Sequence, residues 1–369
     1  MFMREYHQRL AALRQKIRTL AIDALLITTP ANIYYLTGIV QLEGNRECSA
    51  LVSEKNFHIF VHSTFFEEGK SQVKNGHVIS IDGKHPLAMR LEQIGKKEHV
   101  ATIGFESSDV SVAQYNRLKQ LIKTITWKET VGLVEEIRQK KDANEIDHIR
   151  EAAKITDDAF AYILPHIKEG VEEKDIALEL EMYLKRKSDG LAFAPIVASG
   201  VGNASPHYIS RRKKIKKGEM VLLDFGAKMS SYCADLTRMV FIGNPDKQYK
   251  KIYKTVLQAQ EKAIAYVLKK QQEGKIATKD VDEIARSSIL KDGYPNIPHG
   301  LGHAVGIEIH ESPRLSPIDQ DMLKPGMVFT IEPGIYIPNW GGVRIEDLLA
   351  WSDKGIEVLS RSPKHLLTI

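Results

Sequence analysis

The sequence predicts an α+β chain in which a smaller α/β unit precedes a larger unit made of two similar halves. Three observations predict it. The first third alternates short apolar runs with stretches of helical spacing. After the charged segment 135–145, the order helix, helix, strand, hairpin occurs twice. Within that repeat, Gly218-Glu-Met-Val-Leu-Leu-Asp224-Phe-Gly226 aligns with Gly326-Met-Val-Phe-Thr-Ile-Glu332-Pro-Gly334, and in both an acid stands six places after the first glycine and two before the second. Two copies are too few for a solenoid, which needs at least about three. They predict halves facing across a pseudo-two-fold axis, each bringing an acid-bearing hairpin to one centre.

Taken in order, Leu10, Leu13, Ile17 and Leu20 predict a helix over 3–20, and Ala24-Leu-Leu-Ile-Thr28 a buried strand. Strand-like runs follow at 49–52, 58–61, 77–81 and 100–105, then a helix over 111–122, which together predict a parallel or mixed sheet with helical cover. The charged segment sets the boundary, giving units 1–134 and 135–369. The second unit begins with helices over 145–167 and 174–187, a strand over 193–199 and a hairpin over 219–242. Helices over 248–271 and 279–291, a strand over 302–310 and a hairpin over 327–351 repeat the order.

The 369 residues are 43% hydrophobic and 27% charged, with a formal charge of +5. This excludes a wholly disordered or collagen-like chain. No apolar run approaches the roughly 18 residues of a membrane span, and Met1-Phe-Met-Arg-Glu-Tyr meets charge too early for a signal peptide. The expected location is the cytoplasm, without a membrane partner. Cys48 and Cys233 are too few for a disulfide framework or a cysteine-based zinc site. The basic run Arg211-Arg-Lys-Lys-Ile-Lys-Lys217 has no interleaved aromatics and reads as a solvated loop, so no nucleic-acid partner is expected.

The chemistry concentrates in the repeat. A turn centred on Met229-Ser230 sets Asp224 opposite Asp235, with Cβ atoms about 4.5–5.5 Å apart among Val, Leu and Phe. Two carboxylates there repel unless a cation joins them. Taken alone, the pair is equally compatible with a bulge at Gly226 that turns the acids to solvent. The second hairpin adds Glu332 and Glu346 on its two arms. Between the hairpins, His299 and His303 stand at i and i+4, but Gly300 and Gly302 disfavour a helix and the glutamate of a zincin motif is missing. Four acids and one imidazole form an oxygen-rich donor set suited to two divalent ions about 3.5–4 Å apart. A single magnesium or calcium ion is the alternative, though neither commonly takes a histidine. Cys233, two residues before Asp235, is expected on the same strand face, either as an oxidation-sensitive neighbour or as a core residue.

Leu223-Asp224-Phe-Gly-Ala, Asp235-Leu-Thr-Arg238, His299-Gly-Leu-Gly-His303, His310-Glu-Ser-Pro-Arg314, Ile331-Glu332-Pro-Gly and Gly342-Val-Arg-Ile-Glu346-Asp347 resemble, in order, the signature blocks of the Xaa-Pro aminopeptidase and prolidase branch of the M24 metallopeptidases. Thr29-Pro-Ala-Asn-Ile-Tyr-Tyr-Leu-Thr-Gly38 fits a creatinase-like N-terminal domain. The resemblance implies the pita-bread fold for residues 135–369. It also implies hydrolysis of Xaa-Pro bonds by a metal-bridging hydroxide, with manganese foremost among the metals and cobalt, zinc or iron as others. Asp224 is then a ligand of one ion, His303 and Glu332 of the other, and Asp235 and Glu346 bridge both. Glu332 is the implied general acid/base. His310 resembles the histidine that steadies the oxyanion, and His207 and His299 resemble histidines beside the substrate. Arg344 shares a strand face with Glu346 and is a candidate for orienting that acid or the substrate. Arg314 is a candidate for meeting a peptide carboxylate. The substrate is a proline-containing peptide and the assembly a homodimer, both by the same resemblance.

Ala304, Met239, Ser205 and Tyr208 depart from the residues usual at their positions, and none of them removes a ligand. A methionyl aminopeptidase shares the ligands but usually lacks the first unit. A metal-free creatinase-like hydrolase lacks the ligand set, and a non-catalytic binding member has typically lost ligands.

Overall fold

The computed structural model describes residues 2–40 and 48–369. Met1, at the head of the stretch weighed as a signal peptide, lies outside the described residues. The chain divides into two compact units, 1–138 and 139–369.

The first unit is a six-stranded mixed sheet with its central strands buried on both faces. Its strands are β1 (Ala24–Ile27), β2 (Cys48–Ser53), β3 (Phe57–His62), β4 (His77–Ile81), β5 (Thr102–Glu106) and β6 (Thr126–Thr130), in the spatial order β4-β3-β2-β1-β5-β6. Pairing is antiparallel between β1, β2 and β3 and parallel at both flanks. Every residue of β1 is buried, as its unbroken apolar run requires. Leu26, Phe60, Ile103 and Phe105 pack with Leu91 and Ile94 of a helix, Leu87–Glu98, that the sequence analysis did not identify. Strand β6 also escaped it, because this edge strand exposes most of its length and carries no apolar alternation. A third unread element, the helix Pro30–Thr37, starts on a proline in its first turn and stops at Gly38, whose φ of 79° closes the C-terminus.

The second unit carries the duplication. Helices α1 (Ala143–Ile163) and α2 (Glu173–Lys187) precede strand β7 (Ile196–Ser199) and a hairpin whose main arms are β8 (Met220–Phe225) and β9 (Leu236–Phe241). Helices α3 (Lys247–Lys270) and α4 (Thr278–Lys291) precede β10 (Gly302–Ala304) and a second, longer hairpin. That hairpin pairs β11 (Val328–Ile331) with β14 (Asp347–Ser352), and nearer its tip β12 (Gly334–Ile337) with β13 (Gly341–Arg344). An Asp142–Glu145 capping box starts α1, and Asp246 caps α3 by accepting from the Tyr249 N–H. Met239, one of the departures, lies in the apolar core with Leu222 and Phe241. Among the described residues, no helix is long and apolar enough to cross a membrane.

Two expectations need correction. The strand foreseen over 302–310 ends at Ala304. A register shift between His303 and Ala304 breaks the ladder, and residues 305–310 turn away through a Gly306 N–H to Glu308 carbonyl bond. In the first hairpin the reversal lies at Ser230-Ser231, with φ of 47° and 65°, rather than at Met229-Ser230. A two-residue turn with both φ positive matches the twist of the arms. It moves the register by two, so Asp224 faces Thr237 and Asp235 lies diagonally across. A shift of two preserves parity, and both acids keep the same face.

Candidate metal centre

Both hairpins are interrupted where they carry acids. In the first, the ladder resumes in the same register on either side of Gly226 and Ala234-Asp235. Gly226 is obligatory there, because a Cβ would sit 1.8 Å from the Ala234 carbonyl oxygen. In the second, the pairs Ile331 with Asp347 and Gly334 with Arg344 belong to one continuous register, which sets Glu332 and Glu346 opposite each other in the gap. Freed from the ladder, the Glu346 N–H donates to the Thr237 carbonyl at 3.2 Å and the Glu332 N–H to the Leu301 carbonyl at 2.8 Å. The second break therefore knits its hairpin to two other parts of the unit and leaves its carboxylates free to converge.

They converge on a cavity of about 410 Å³. Asp224, Asp235, His303, Glu332 and Glu346 line it, and so do His207, His299, His310, Arg314 and Arg344. All ten residues singled out in the sequence thus face one space. Ligand atoms of Asp235, His303 and Glu346 lie within 4.8 Å of one another. His303 Nε2 is 3.6 Å from Asp235 Oδ2 and 3.5 Å from Glu332 Oε1. Its Nδ1 donates to the Ala304 carbonyl at 3.1 Å, which fixes the tautomer and turns the Nε2 lone pair toward the acids. Burial and the nearby His310 push the His303 pKa down to about 3, so the ring is neutral.

The acids show the converse. Burial raises Asp224, and burial with the neighbouring carboxylates raises Asp235 and Glu332 well above the usual range. Glu346 is pushed up to about 8, first by burial and then by Asp224. Asp235 Oδ1 is buried and, among the described residues, has no hydrogen-bond partner. An orphaned carboxylate oxygen beside a neutral imidazole and three further acids is a donor set in want of a cation, and a divalent metal fits its chemistry.

Two residues without an assigned role in the sequence complete the arrangement. Thr237 donates to Glu346 Oε2 at 2.7 Å and accepts from Arg344 Nε at 3.1 Å. Arg344 Nη2 pairs with Asp224 Oδ2 at 2.5 Å, and Nη1 donates to the Tyr336 hydroxyl at 3.1 Å. That hydroxyl lies 2.8 Å from His299 Nε2, whose pKa falls to about 4 through burial. Burial works against the Arg344 charge, but Tyr336, Asp224 and Glu332 outweigh it and hold the guanidinium charged. Gly334 and Gly342 make room for Tyr336, since a Cβ at either would lie within 2.8 Å of its ring or hydroxyl. Arg238, buried at 1% exposure, donates to the Glu346 carbonyl and pairs with Asp347 at 2.7 Å, fixing the backbone of the last acid. His310 stands edge-on to His303 with ring centroids 4.4 Å apart. Cys233 is buried, with its thiol 3.4 Å from the Ile307 carbonyl oxygen.

Comparison with known proteins agrees with this geometry. Residues 147–353 match metallopeptidase family M24, and residues 9–140 match the creatinase/prolidase N-terminal domain. A Bacillus subtilis protein described as uncharacterized peptidase YqhT is 37% identical over 365 residues, covering 98% of this chain and 100% of that one. The Xaa-Pro dipeptidase of Pyrococcus horikoshii is 33% identical over 350 residues, 94% of this chain and 95% of that one. The structure of an Xaa-Pro dipeptidase from Bacillus anthracis superposes with a TM-score of 0.92 at 32% identity, covering 99% of this chain and 100% of that one.

Proposed function

The chain belongs to metallopeptidase family M24, with a creatinase-like first domain and a pita-bread second one, and from that premise we propose that it hydrolyses the Xaa-Pro bond of dipeptides. The observation that carries the reading is the convergence of three buried acids, the half-buried Glu332 and the Nε2 of a neutral His303 on one cavity. Asp224, Asp235, His303, Glu332 and Glu346 would hold two divalent cations, manganese foremost. Such ions supply Lewis acidity at the scissile carbonyl and lower the pKa of a water.

The chain's own residues do the rest. Glu332 takes the proton of the attacking water on a carboxylate oxygen and passes it to the proline nitrogen as the C–N bond breaks. His310 and His207, on the cavity wall, donate hydrogen bonds to the carbonyl oxygen as it gains charge. Arg344 holds Asp224 in place, and Tyr336 with His299 holds Arg344. Arg314 meets the carboxylate of the substrate. The Xaa-Pro dipeptidases among the relatives and solved structures support this choice of substrate.

Chelator-stripped enzyme, reloaded with Mn²⁺ or Co²⁺, is offered Xaa-Pro and Xaa-Pro-Yaa peptides side by side. Cleavage of the dipeptide is the expected result. Cleavage of neither, with ions shown to be bound, overturns the peptidase reading, and preference for the tripeptide makes the chain an aminopeptidase.

A further inference from the structure

The basic run 211–217 plays no part in the chemistry above, yet it is not a uniform charged face. Lys213 turns inward. Its Nζ lies 2.9 Å from Glu219 Oε2, donates to the Ser199 carbonyl at 3.1 Å, and is 3.7 Å from Glu173 Oε1. Glu173 sits in the first turn of α2 and is wholly buried, at 0% exposure. Its Oε1 accepts from the Ser199 N–H at 2.8 Å and the Ser199 hydroxyl at 2.7 Å, and its Oε2 from the Tyr208 hydroxyl at 2.9 Å. The backbone adds two bonds, from Glu173 N–H to the Lys213 carbonyl and from Lys174 N–H to the Arg211 carbonyl, each of 3.0 Å.

A buried carboxylate is costly unless charge-assisted hydrogen bonds satisfy it. Here those bonds fall on one segment, 199–213, near both ends and at Tyr208. His207 is the neighbour of Tyr208 on that segment and lines the cavity, as does Pro206, whose carbonyl accepts from Arg344 Nη1 at 3.4 Å. Tyr208 was one of the departures in the sequence, and the structure gives it a partner in Glu173. Burial and the bond to Glu173 push its phenol up to about 12, so it remains a donor near neutral pH.

We propose that Glu173 is a positioning residue for His207, acting through the Tyr208 hydroxyl and Ser199 to hold the 199–213 segment against the cavity. The inference deepens the Xaa-Pro peptidase reading and rests on it for its kinetic test. Tyr208→Phe deletes one oxygen, and Glu173→Gln removes the charge while keeping the shape. In Mn²⁺-loaded full-length protein acting on an Xaa-Pro dipeptide, Tyr208→Phe lowers kcat/KM about tenfold, as expected for a lost hydrogen bond to a charged acceptor. In a His207→Ala background the same substitution produces no further loss, because both changes act through one group. Arg212→Ala, on the exposed part of the same run, leaves activity as it was. An equal loss in both backgrounds, or no loss in either, overturns the proposal.

Amide hydrogen exchange provides a readout that needs no activity. Tyr208→Phe speeds exchange across 199–213 and leaves the second hairpin unchanged. Unaltered protection of that segment overturns the proposal even if the wild-type protein cleaves no Xaa-Pro bond, a result that would strike the peptidase reading separately. Should Glu173→Gln fail to fold, Tyr208→Phe carries the test alone.

Discussion

Thr237 donates to Glu346 across 2.7 Å, and the two residues hold the same register position in the two hairpins. Thr237 faces Asp224, as Glu346 faces Glu332. The halves of the duplication thus meet at the centre of the site with unlike residues, a hydroxyl against a carboxylate. Two places back on the return arms, Asp235 corresponds to Arg344. The exchange sets the charge of the centre: the three matched pairs, Asp224 with Glu332, Thr237 with Glu346 and Asp235 with Arg344, supply four acids, one hydroxyl and one guanidinium.

Thr237→Val keeps the shape and deletes the hydroxyl. Glu346 then loses its donor and Arg344 Nε its acceptor. Groups that orient metal ligands are worth about 10- to 100-fold in affinity, and a loss of that size is expected for Mn²⁺ in a calorimetric titration. Unchanged affinity would remove Thr237 from the site.

Asp235→Asn tests the bridging role. The substitution keeps the volume but neutralises an acid whose Oδ1 is buried and, among the described residues, without a hydrogen-bond partner. Lewis-acid stabilisation of several kcal/mol is at stake, so turnover falls by about a thousandfold or more, and elemental analysis finds less metal per chain. Full activity in this variant would refute the ligand assignment.

The acids also couple stability to pH. Burial and mutual repulsion raise Asp235 and Glu332 and bring Glu346 to about 8. Unfolded carboxyls titrate near about 4. A folded value above the unfolded one means that the fold holds the proton more tightly. The stability it contributes is complete below the unfolded value and is lost as pH rises through the folded one. Chelated protein therefore melts at progressively lower temperature from about pH 4 to 8. Cations bind the ionised acids and release protons, so the gain in Tm on adding Mn²⁺ grows over the same interval. A chelated protein whose Tm is flat across it would show that the acids are not held protonated.

Much of this was legible in the residues because hairpin arms and amphipathic helices depend on local spacing. The acid-glycine alignment of the two hairpins and the five donor positions could be read without knowing any contact. The first turn could not: Ser230 and Ser231 both take positive φ, a conformation usually signalled by Asn or Gly, so the residue pattern alone places the register two residues off. Ala304-Val-Gly-Ile-Glu-Ile alternates like a strand, so its end after Ala304 followed from a bulge that no local pattern announces. Thr237 and Tyr336 act through hydroxyls, which leave no trace in a search for charge. Glu173 was passed over for another reason: an acid in the first turn of a helix is ordinarily a solvated one, and its burial is decided by the loop that covers it.

On the proposed reading, Arg314 is the residue that would separate a dipeptidase from an aminopeptidase. It lies on the strand Glu311–Leu315, opposite His303, and its charge helps to lower both His303 and His310. Among the described residues its guanidinium meets no carboxylate, although it lines a cavity rich in them. A cation at that wall without a partner of its own suits the carboxylate of a substrate that ends at proline. Arg314→Met removes the charge and keeps much of the bulk. A hydrogen bond between charged groups is worth about 1.5–3 kcal/mol, so KM for an Xaa-Pro dipeptide rises roughly 10- to 100-fold with kcat little changed. The corresponding Xaa-Pro amide has no carboxylate to lose, and its KM stays within about twofold. If both substrates weaken equally, Arg314 shapes the pocket without clamping the carboxylate, and the choice of a dipeptide loses its support from the site.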